Sequence, residues 1–370
     1  MRKLLAKRTP IAVDLGAGSL RAVQLEQTDR GISVRHWMRR VPSAAEVEQS
    51  VAADQPPVPP RLRIRDESGF IGREAVLSLG LNEVECCPLR VPDNLLSLGR
   101  EQLLHALQHE VSRQLSISIE AAQLDYWELV PADVEGPNLM VAAARKSAVQ
   151  QVIDWVTEQK LVCRRIDLAP LAAMRACAAM LGPSHSESIL GVLDIGRRGS
   201  RLCVGIGSVP VYIRKMQRGG DAMTQRIADE LEVSRSIAER YKTRFGVSVS
   251  QAGYRPFDKN VETIDEQRMS SILQGVLQPI IHGLCEEVKN SFHYAMEYYP
   301  GRPIGGLVLV GGGATMKGLC ESLSHLLGID VRRPTGAGLP EDMALLAEMQ
   351  DDVLTEMAGP IGLGLAEIAA

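Results

Sequence analysis

The chain has 370 residues, of which 45% are hydrophobic and 23% charged, with a net charge of −4; that is enough for two domains with cores of their own. No basic field exists and only 4% of residues are aromatic, which excludes nucleic acid as a main partner. The seven cysteines (Cys86, Cys87, Cys163, Cys177, Cys203, Cys285 and Cys320) form no C-x-x-C pair. They read as reduced, partly buried thiols rather than a disulfide frame or a metal site.

The basic start MRKLLAKR lacks the apolar core and cleavage site of a secretory signal. No apolar run approaches the ~20 residues that span a bilayer. A cytoplasmic chain without a membrane span is therefore expected. Short strands are predicted at Ile11–Asp14, Leu20–Gln27 and Ile32–Arg39, joined by turns carrying Gly16, Gly18 and Gly31. Gln55–Pro60 is Pro-rich and reads as an exposed loop, with a further strand at Leu62–Arg65. Glu85–Arg90 is extended and Glu101–Gln114 helical. Strands follow at Gln123–Val130 and Leu139–Ala144, an amphipathic helix at Ser147–Lys160, and an extended segment at Leu161–Asp167. This β-α-β-β-α-β order predicts a small two-layer module set between two larger halves.

An Ala-rich helix, Leu168–Leu181, leads into a second three-strand opening at Ile189–Asp194, Ser200–Ile206 and Pro210–Met216. Helices are predicted at Gly219–Leu231 and Arg235–Phe245, with Ser234 as N-cap. A long helix at Met269–Tyr299 carries Gly275, Pro279 and Gly283 as break or bend points. A buried strand, Ile304–Val310, runs into Gly311-Gly312-Gly313, followed by a helix at Met316–Leu327 and a strand at Asp330–Arg332. The tail from Glu341 is helical, ending at Gly359-Pro360 before a small Ala-rich helix.

The phrase AVDLGAGS (Ala12 to Ser19) returns as VLDIGRRGS (Val192 to Ser200). With Asp14 set on Asp194, Gly16 falls on Gly196 and Arg21 on Arg201. A strand–acidic turn–strand repeat of this kind points to a duplicated α/β domain. Glycine at a hairpin tip lets successive N–H groups face one spot, a concavity suited to phosphate. An aspartate at the strand end suits a water-bound Mg²⁺. The third loop, GLVLVGGGATMKGLCESL (Gly306 to Leu323), permits close approach of a flat ring or sugar ahead of a helix N-terminus. No P-loop is present, and the first loop lacks both the last glycine and the strand-to-helix setting of the Rossmann fingerprint.

AVDLGAGSLRAVQL, VLDIGRRGSRL and LVLVGGGATMKGL resemble the phosphate 1, phosphate 2 and adenosine loops of the actin-like ATPase superfamily. Within it, the chain is similar to the PilM family of type IV pilus assembly. The stretches that carry this are Arg218 to Lys242, CPLRVP with Ala144-Arg145-Lys146, Glu286 to Gly301 and the closing GPIGLGLAE. The resemblance implies an actin-like (ribonuclease H-like) α/β fold of duplicated domains with an inserted FtsA/PilM-type small α+β subdomain. Its parts would be a first actin-like domain at 1–83, the insertion at 84–167, a second actin-like domain at 168–340, and C-terminal helices at 341–370 returning to the first. It also implies ATP and Mg²⁺. Asp14 and Asp194 would orient the metal. Gly16, Gly18, Ser19 and Arg21 would meet phosphates from one side and Gly196, Gly199 and Ser200 from the other. Gly219 and Gly220 would lie beside the nucleotide, Glu239 and Lys242 would hold ribose and adenine, and Gly311, Gly312 and Gly313 would back the purine. Read from spacing alone, Glu239/Lys242 is a surface i,i+3 ion pair.

Two departures stand out. Arg21 replaces the lysine usual in the family, and Arg197-Arg198-Gly199 replaces small residues and threonines. These two guanidiniums either clamp phosphate or fill the site. No side chain is identified that would position an attacking water, so binding is expected with hydrolysis slow or absent. The implied role is a cytoplasmic ATP-binding scaffold, peripheral to the inner membrane, that holds the N-terminal cytoplasmic peptide of a PilN-like inner-membrane protein in a groove bordering the insertion. Self-association is a further implied contact. The competing readings are a sugar- or acetate-type kinase of the same fold and an FtsA-like cytoskeletal protein. The insertion shows no convergent Asp/His set for the first. The closing GLGLAEIAA lacks the basic and bulky apolar faces of a membrane-surface helix for the second.

Overall fold

The structure, a computed structural model, describes residues 7–41, 64, 69–132, 134–248 and 266–369. The Pro-rich passage and most of the strand expected at Leu62–Arg65 lie outside the described residues; Ile64 is described and fully buried.

The first half opens with β1 (Lys7–Arg8), β2 (Ile11–Leu15), β3 (Leu20–Thr28), β4 (Gly31–Arg40) and β5 (Glu74–Leu79). β2 and β5 pair in parallel and are apolar on both faces, as strands covered on both sides must be. Next come β6 (Val84–Leu89), α1 (Asp93–Leu96), α2 (Arg100–Ser112), β7 (Ala122–Glu128), β8 (Leu139–Arg145), α3 (Lys146–Glu158) and β9 (Val162–Leu168). β6, β8 and β7 form a three-stranded antiparallel sheet. Leu103, Leu107 and Val111 of α2, one helical turn apart, pack on Cys87, Leu89, Leu139 and Val141 of that sheet.

β9 departs from the expectation of one inserted unit over 84–167. It pairs in parallel with β5 (Leu77 opposite Ile166), as the last strand of the first sheet. Helix α3 likewise turns its buried Ala148, Val152, Trp155 and Val156 onto Ile11, Val13, Ala75 and Leu77 of that sheet. The inserted sheet therefore ends with β8.

The second half comprises α4 (Ala169–Leu181), β10 (Ile189–Ile195), β11 (Ser200–Ile206), β12 (Val209–Met216), α5 (Gly220–Leu231), α6 (Arg235–Phe245), α7 (Glu266–Tyr298), β13 (Ile304–Val310), α8 (Leu319–Leu327), β14 (Val331–Arg332) and α9 (Asp351–Ala369), with 3₁₀ turns at Gly312–Thr315 and Glu341–Glu348. Its sheet runs β12-β11-β10-β13-β14. The first runs β1-β3-β2-β5-β9, with β4 also on β3. Apart from the short β1, both have the same order, with two antiparallel pairs followed by two parallel ones. The short repeat in the sequence is thus one corner of a duplicated sheet.

Helices α4 and α9 lie between the two sheets. One core joins Ala12, Val23 and Val76 to Leu190, Val192 and Val308 through Ala172, Ala173, Ala176, Leu354, Met357 and Ile361. Small side chains on α4 are what let two helices fit there. α7 runs without interruption through Gly275, Pro279 and Gly283, and α9 through Gly359-Pro360. In both, apolar residues on either side of the proline are buried, and that burial outweighs the lost backbone bond. Helix α8 starts at Leu319 rather than Met316, because Gly318 stands left-handed at φ 74°.

Candidate functional site

In an antiparallel pair, residues directly opposite each other put their side chains on one face. Asp14 is opposite Arg21, and Asp194 is opposite Arg201. The pairs close accordingly. Arg21 Nη2 donates to Asp14 Oδ2 at 2.6 Å, and Arg201 Nη2 to Asp194 Oδ2 at 2.5 Å. Ser78 Oγ donates to Asp14 Oδ1 at 3.2 Å, and Arg21 Nη1 to the Glu356 carbonyl at 2.6 Å. Asp14, Arg21, Asp194, Gly311, Glu356 and Gly359 line one crevice of about 10 Å³, the volume of about one water. Arg201 is held still more firmly charged than a free arginine. The Asp194 carboxylate is the main cause, offset by burial and reinforced by Asp14 and Glu83. Burial pushes Glu83 up, against hydrogen bonds from its own backbone and the charges of Lys215 and Arg201.

The hairpin tips match in detail. Gly16 N–H donates to the Ser19 carbonyl at 3.1 Å, and Gly196 N–H to the Gly199 carbonyl at 3.0 Å. The tips touch: a Cβ on Gly18 would lie 3.1 Å from Arg197 Cβ. Arg197 Nε is held by Asp221 Oδ1 at 3.2 Å, and Arg235 reaches the same oxygen at 2.7 Å. Gly219 is pressed on the second tip; a Cβ there would sit 2.5 Å from Gly199 N and 2.7 Å from the Gly196 carbonyl. Gly220 N–H donates to that carbonyl at 2.9 Å, and Ser200 Oγ donates to the Arg218 carbonyl. The start of α5 is thereby fixed to the turn of the second hairpin.

Lys242 and Glu239 on α6 make more than a surface pair. Lys242 is buried and donates to the Gly220 carbonyl at 3.1 Å, Thr224 Oγ1 at 2.8 Å and Glu239 Oε2 at 2.8 Å. This uses all its N–H groups and ties α6 to the glycine pair beneath. Burial acts to raise Glu239, but hydrogen bonds from Lys242 and Thr224 outweigh it and hold the carboxyl below its ordinary 4.5. A depressed carboxyl contributes stability that is present above its unfolded pKa and lost as pH falls through the folded one. Stability should therefore fall more steeply with acid below about pH 4.5 in the native chain than in Glu239→Gln, as denaturant midpoints across pH would show. Equal slopes would mean that Glu239 makes no such contribution.

The third loop closes the same crevice. Gly311 stands at φ 85° with its N–H on the Thr355 carbonyl at 3.1 Å, and a Cβ there would strike Asp194 Oδ1. A Cβ on Gly313 would strike Ile195, whereas Gly312 faces open space. All three glycine loops, and Glu239 and Lys242 through Gly220, are thus joined in one continuous set of contacts. Arg201, Ser78, Glu83 and Glu356 were not among the expected site residues. Only Arg201 carried a signal, its register with Arg21.

The family model described as "Type IV pilus assembly protein PilM" matches residues 12–335. The chain belongs to the PilM family. A chain of a solved PilM-PilN type IV pilus biogenesis complex superposes with a TM-score of 0.69 at 21% identity, covering 97% of this chain and 98% of that one. The likeness supports the actin-like fold. Cell division protein FtsA of Streptococcus pneumoniae serotype 2 (strain D39 / NCTC 7466) is 24% identical over 166 residues, 45% of this chain and 35% of that protein. FtsA of Enterococcus hirae is 22% identical over 188 residues, 50% of this chain and 42% of that protein. The chain thus matches less than half the length of those relatives.

The expected magnesium does not fit the donors left to it. Mg²⁺ demands near-octahedral oxygen ligands. Both Asp14 oxygens and one Asp194 oxygen are already engaged by Arg21, Ser78 and Arg201. The one oxygen left, Asp194 Oδ1, is buried against Gly311 without a partner. Two guanidiniums that cannot shed their protons flank the place where a cation would sit. No cluster of three or more His, Cys, Asp or Glu suited to a metal exists among the described residues.

Proposed function

We propose that the chain is a nucleotide-responsive adaptor of type IV pilus assembly. One observation carries the nucleotide half of this reading: two hairpins from two sheets of the same order meet tip to tip, and Asp14, Arg21 and Asp194 from them line one crevice. A nucleoside triphosphate would enter as the halves part, its phosphates between the Gly16–Ser19 and Gly196–Ser200 turns, its ribose near Gly219, Gly220, Glu239 and Lys242, and its purine against Gly311–Gly313. Both aspartates are already engaged by their arginines rather than free to take up a water, so the arrangement favours holding the ligand over hydrolysing it.

The partner half concerns a groove of about 640 Å³ between α3 and β9, lined by Ile153, Thr157, Leu161, Val162, Cys163 and Arg164–Ile166. β9 ends its sheet among the described residues. A sheet edge beside an apolar helix face suits an extended peptide that adds a strand, and this is where we place the N-terminal cytoplasmic tail of a PilN-like inner-membrane protein. That partner would hold the chain beside the membrane; no described helix is long and apolar enough to cross one. α9 offers no apolar face to lipid: it is buried between the sheets, with Leu354, Met357, Ile361 and Leu363 at or near zero exposure.

The reading is tested with the whole chain. ATP should raise the melting temperature, and the tail peptide should bind with micromolar affinity in calorimetry. Val162→Glu, which puts a charge on an exposed groove residue, should weaken peptide binding about tenfold or more and leave the ATP shift unchanged. Peptide capture indifferent to Val162→Glu moves the partner elsewhere, and a melting point indifferent to ATP removes the nucleotide site.

A further inference from the structure

The misfit of magnesium points to a different way of balancing charge. Four arginines stand on the two hairpins: Arg21, Arg197, Arg198 and Arg201. The hairpins bring only Asp14 and Asp194 against them, and Asp221 meets Arg197 from α5. Arg21 is 8% exposed, and its Nε is buried with no acceptor while it lines the crevice. Arg198, at the exposed tip of the second turn, pairs with no carboxylate among the described residues. A divalent ion bound directly to Asp14 must displace Arg21 or Ser78, and at Asp194 it finds only the buried Oδ1, with a charged arginine beside it on the same carboxylate to repel it. A phosphate chain needs no such exchange. It accepts the same N–H groups, in the bidentate fashion that suits guanidinium.

We propose, on the reading that the crevice is a nucleotide site, that it takes a nucleoside di- or triphosphate as the metal-free anion, with Arg21, Arg197, Arg198 and Arg201 supplying the counter-charge. Arg198 and Arg197 meet the phosphates first at the tips. Arg21 and Arg201, freed in part from Asp14 and Asp194 as the halves part, grip them further in. The aspartates then act as placeholders that keep buried guanidiniums paired while no phosphate is bound.

The test is calorimetric titration of the full chain with ATP and ADP, once in EDTA and once in excess Mg²⁺. Affinity in EDTA should lie within about threefold of that in Mg²⁺. Binding only in Mg²⁺ overturns the inference and leaves the nucleotide reading standing; binding in neither overturns both. Asp194→Asn adds a test of sign. A metal-orienting aspartate predicts a loss of about tenfold or more, whereas the arginine site predicts unchanged or tighter binding, because a negative charge near the phosphates is gone. Arg198→Ala, an exposed change that does not threaten the fold, should weaken binding in EDTA about three- to tenfold. An Arg198→Ala affinity equal to that of the parent removes the tip contact and with it the proposal.

Discussion

Asp14→Ala should lower folding stability by about 3–5 kcal/mol, because it strands a buried guanidinium. Asp14 is 6% exposed and Arg21 8%. Without Asp14, Arg21 keeps only the Glu356 carbonyl on Nη1, since its Nε has no partner already. A guanidinium does not escape burial by giving up its charge as a lysine can. Removing one member of such a pair is costly, but exchanging both for apolar groups of similar shape is close to neutral. Asp14→Leu with Arg21→Met should therefore recover most of the loss, and the pair forms a double-mutant cycle with a large coupling term. Urea unfolding at unchanged m-value measures it. Glu74→Ala supplies the contrast. Its partner Arg164 has a side chain 50% exposed and its own is 57% exposed, so its loss should stay below about 1 kcal/mol. If Asp14→Ala also costs less than about 1 kcal/mol, water reaches and solvates Arg21, and the pair is not the closely buried one described above.

This prediction rests on a pairing that the sequence displayed without naming. The two acidic turns share a register, so Arg21 and Arg201 had to fall opposite Asp14 and Asp194 once the hairpins formed. Hairpin geometry is local, and local order is what periodicity and turn residues report. Contacts made at long range are less legible. Strand β9 reads the same whether it closes the inserted sheet or joins β5. Its place is decided by which surface its side chains bury, and alternation does not reveal that. β5 itself (Glu74–Leu79) escaped because its run is short and lies beside the Pro-rich passage. The touching of Gly18 and Arg197 depends on how two sheets are brought together, through α4 and α9, and no window of sequence contains that. Pro279 and Pro360 mislead for a related reason. Proline disfavours a helix locally, and only the burial on both flanks, a tertiary fact, reverses the outcome.

The helix pair between the sheets leads to the second large effect. Gly362 on α9 crosses α4 so closely that an added Cβ would enter the Ala172 carbonyl oxygen and lie 2.5 Å from its carbon. These are backbone atoms, which cannot turn aside as a side chain does. Gly362→Ala should therefore reach the upper end of overpacking costs, about 3 kcal/mol. Gly359, one turn earlier on the same helix, has nothing within 4 Å of its Cβ position. There the gain in helix propensity is offset by the contact of the new Cβ with the Cδ of Pro360, which follows it, so alanine should change stability by less than about 1 kcal/mol. The difference in size separates close approach from a general intolerance of α9 to change, and thermal denaturation of the two variants reads it directly. The effect should also reach the crevice. α9 supplies the Glu356 carbonyl that holds Arg21 and the Thr355 carbonyl that holds Gly311. Pushing α9 off α4 moves both acceptors together, so Gly362→Ala should weaken nucleotide binding at temperatures where the variant is still folded. A folded Gly362→Ala that binds as tightly as the parent would show that the crossing supports the fold alone, and that the crevice draws its geometry from the hairpins without help from α9.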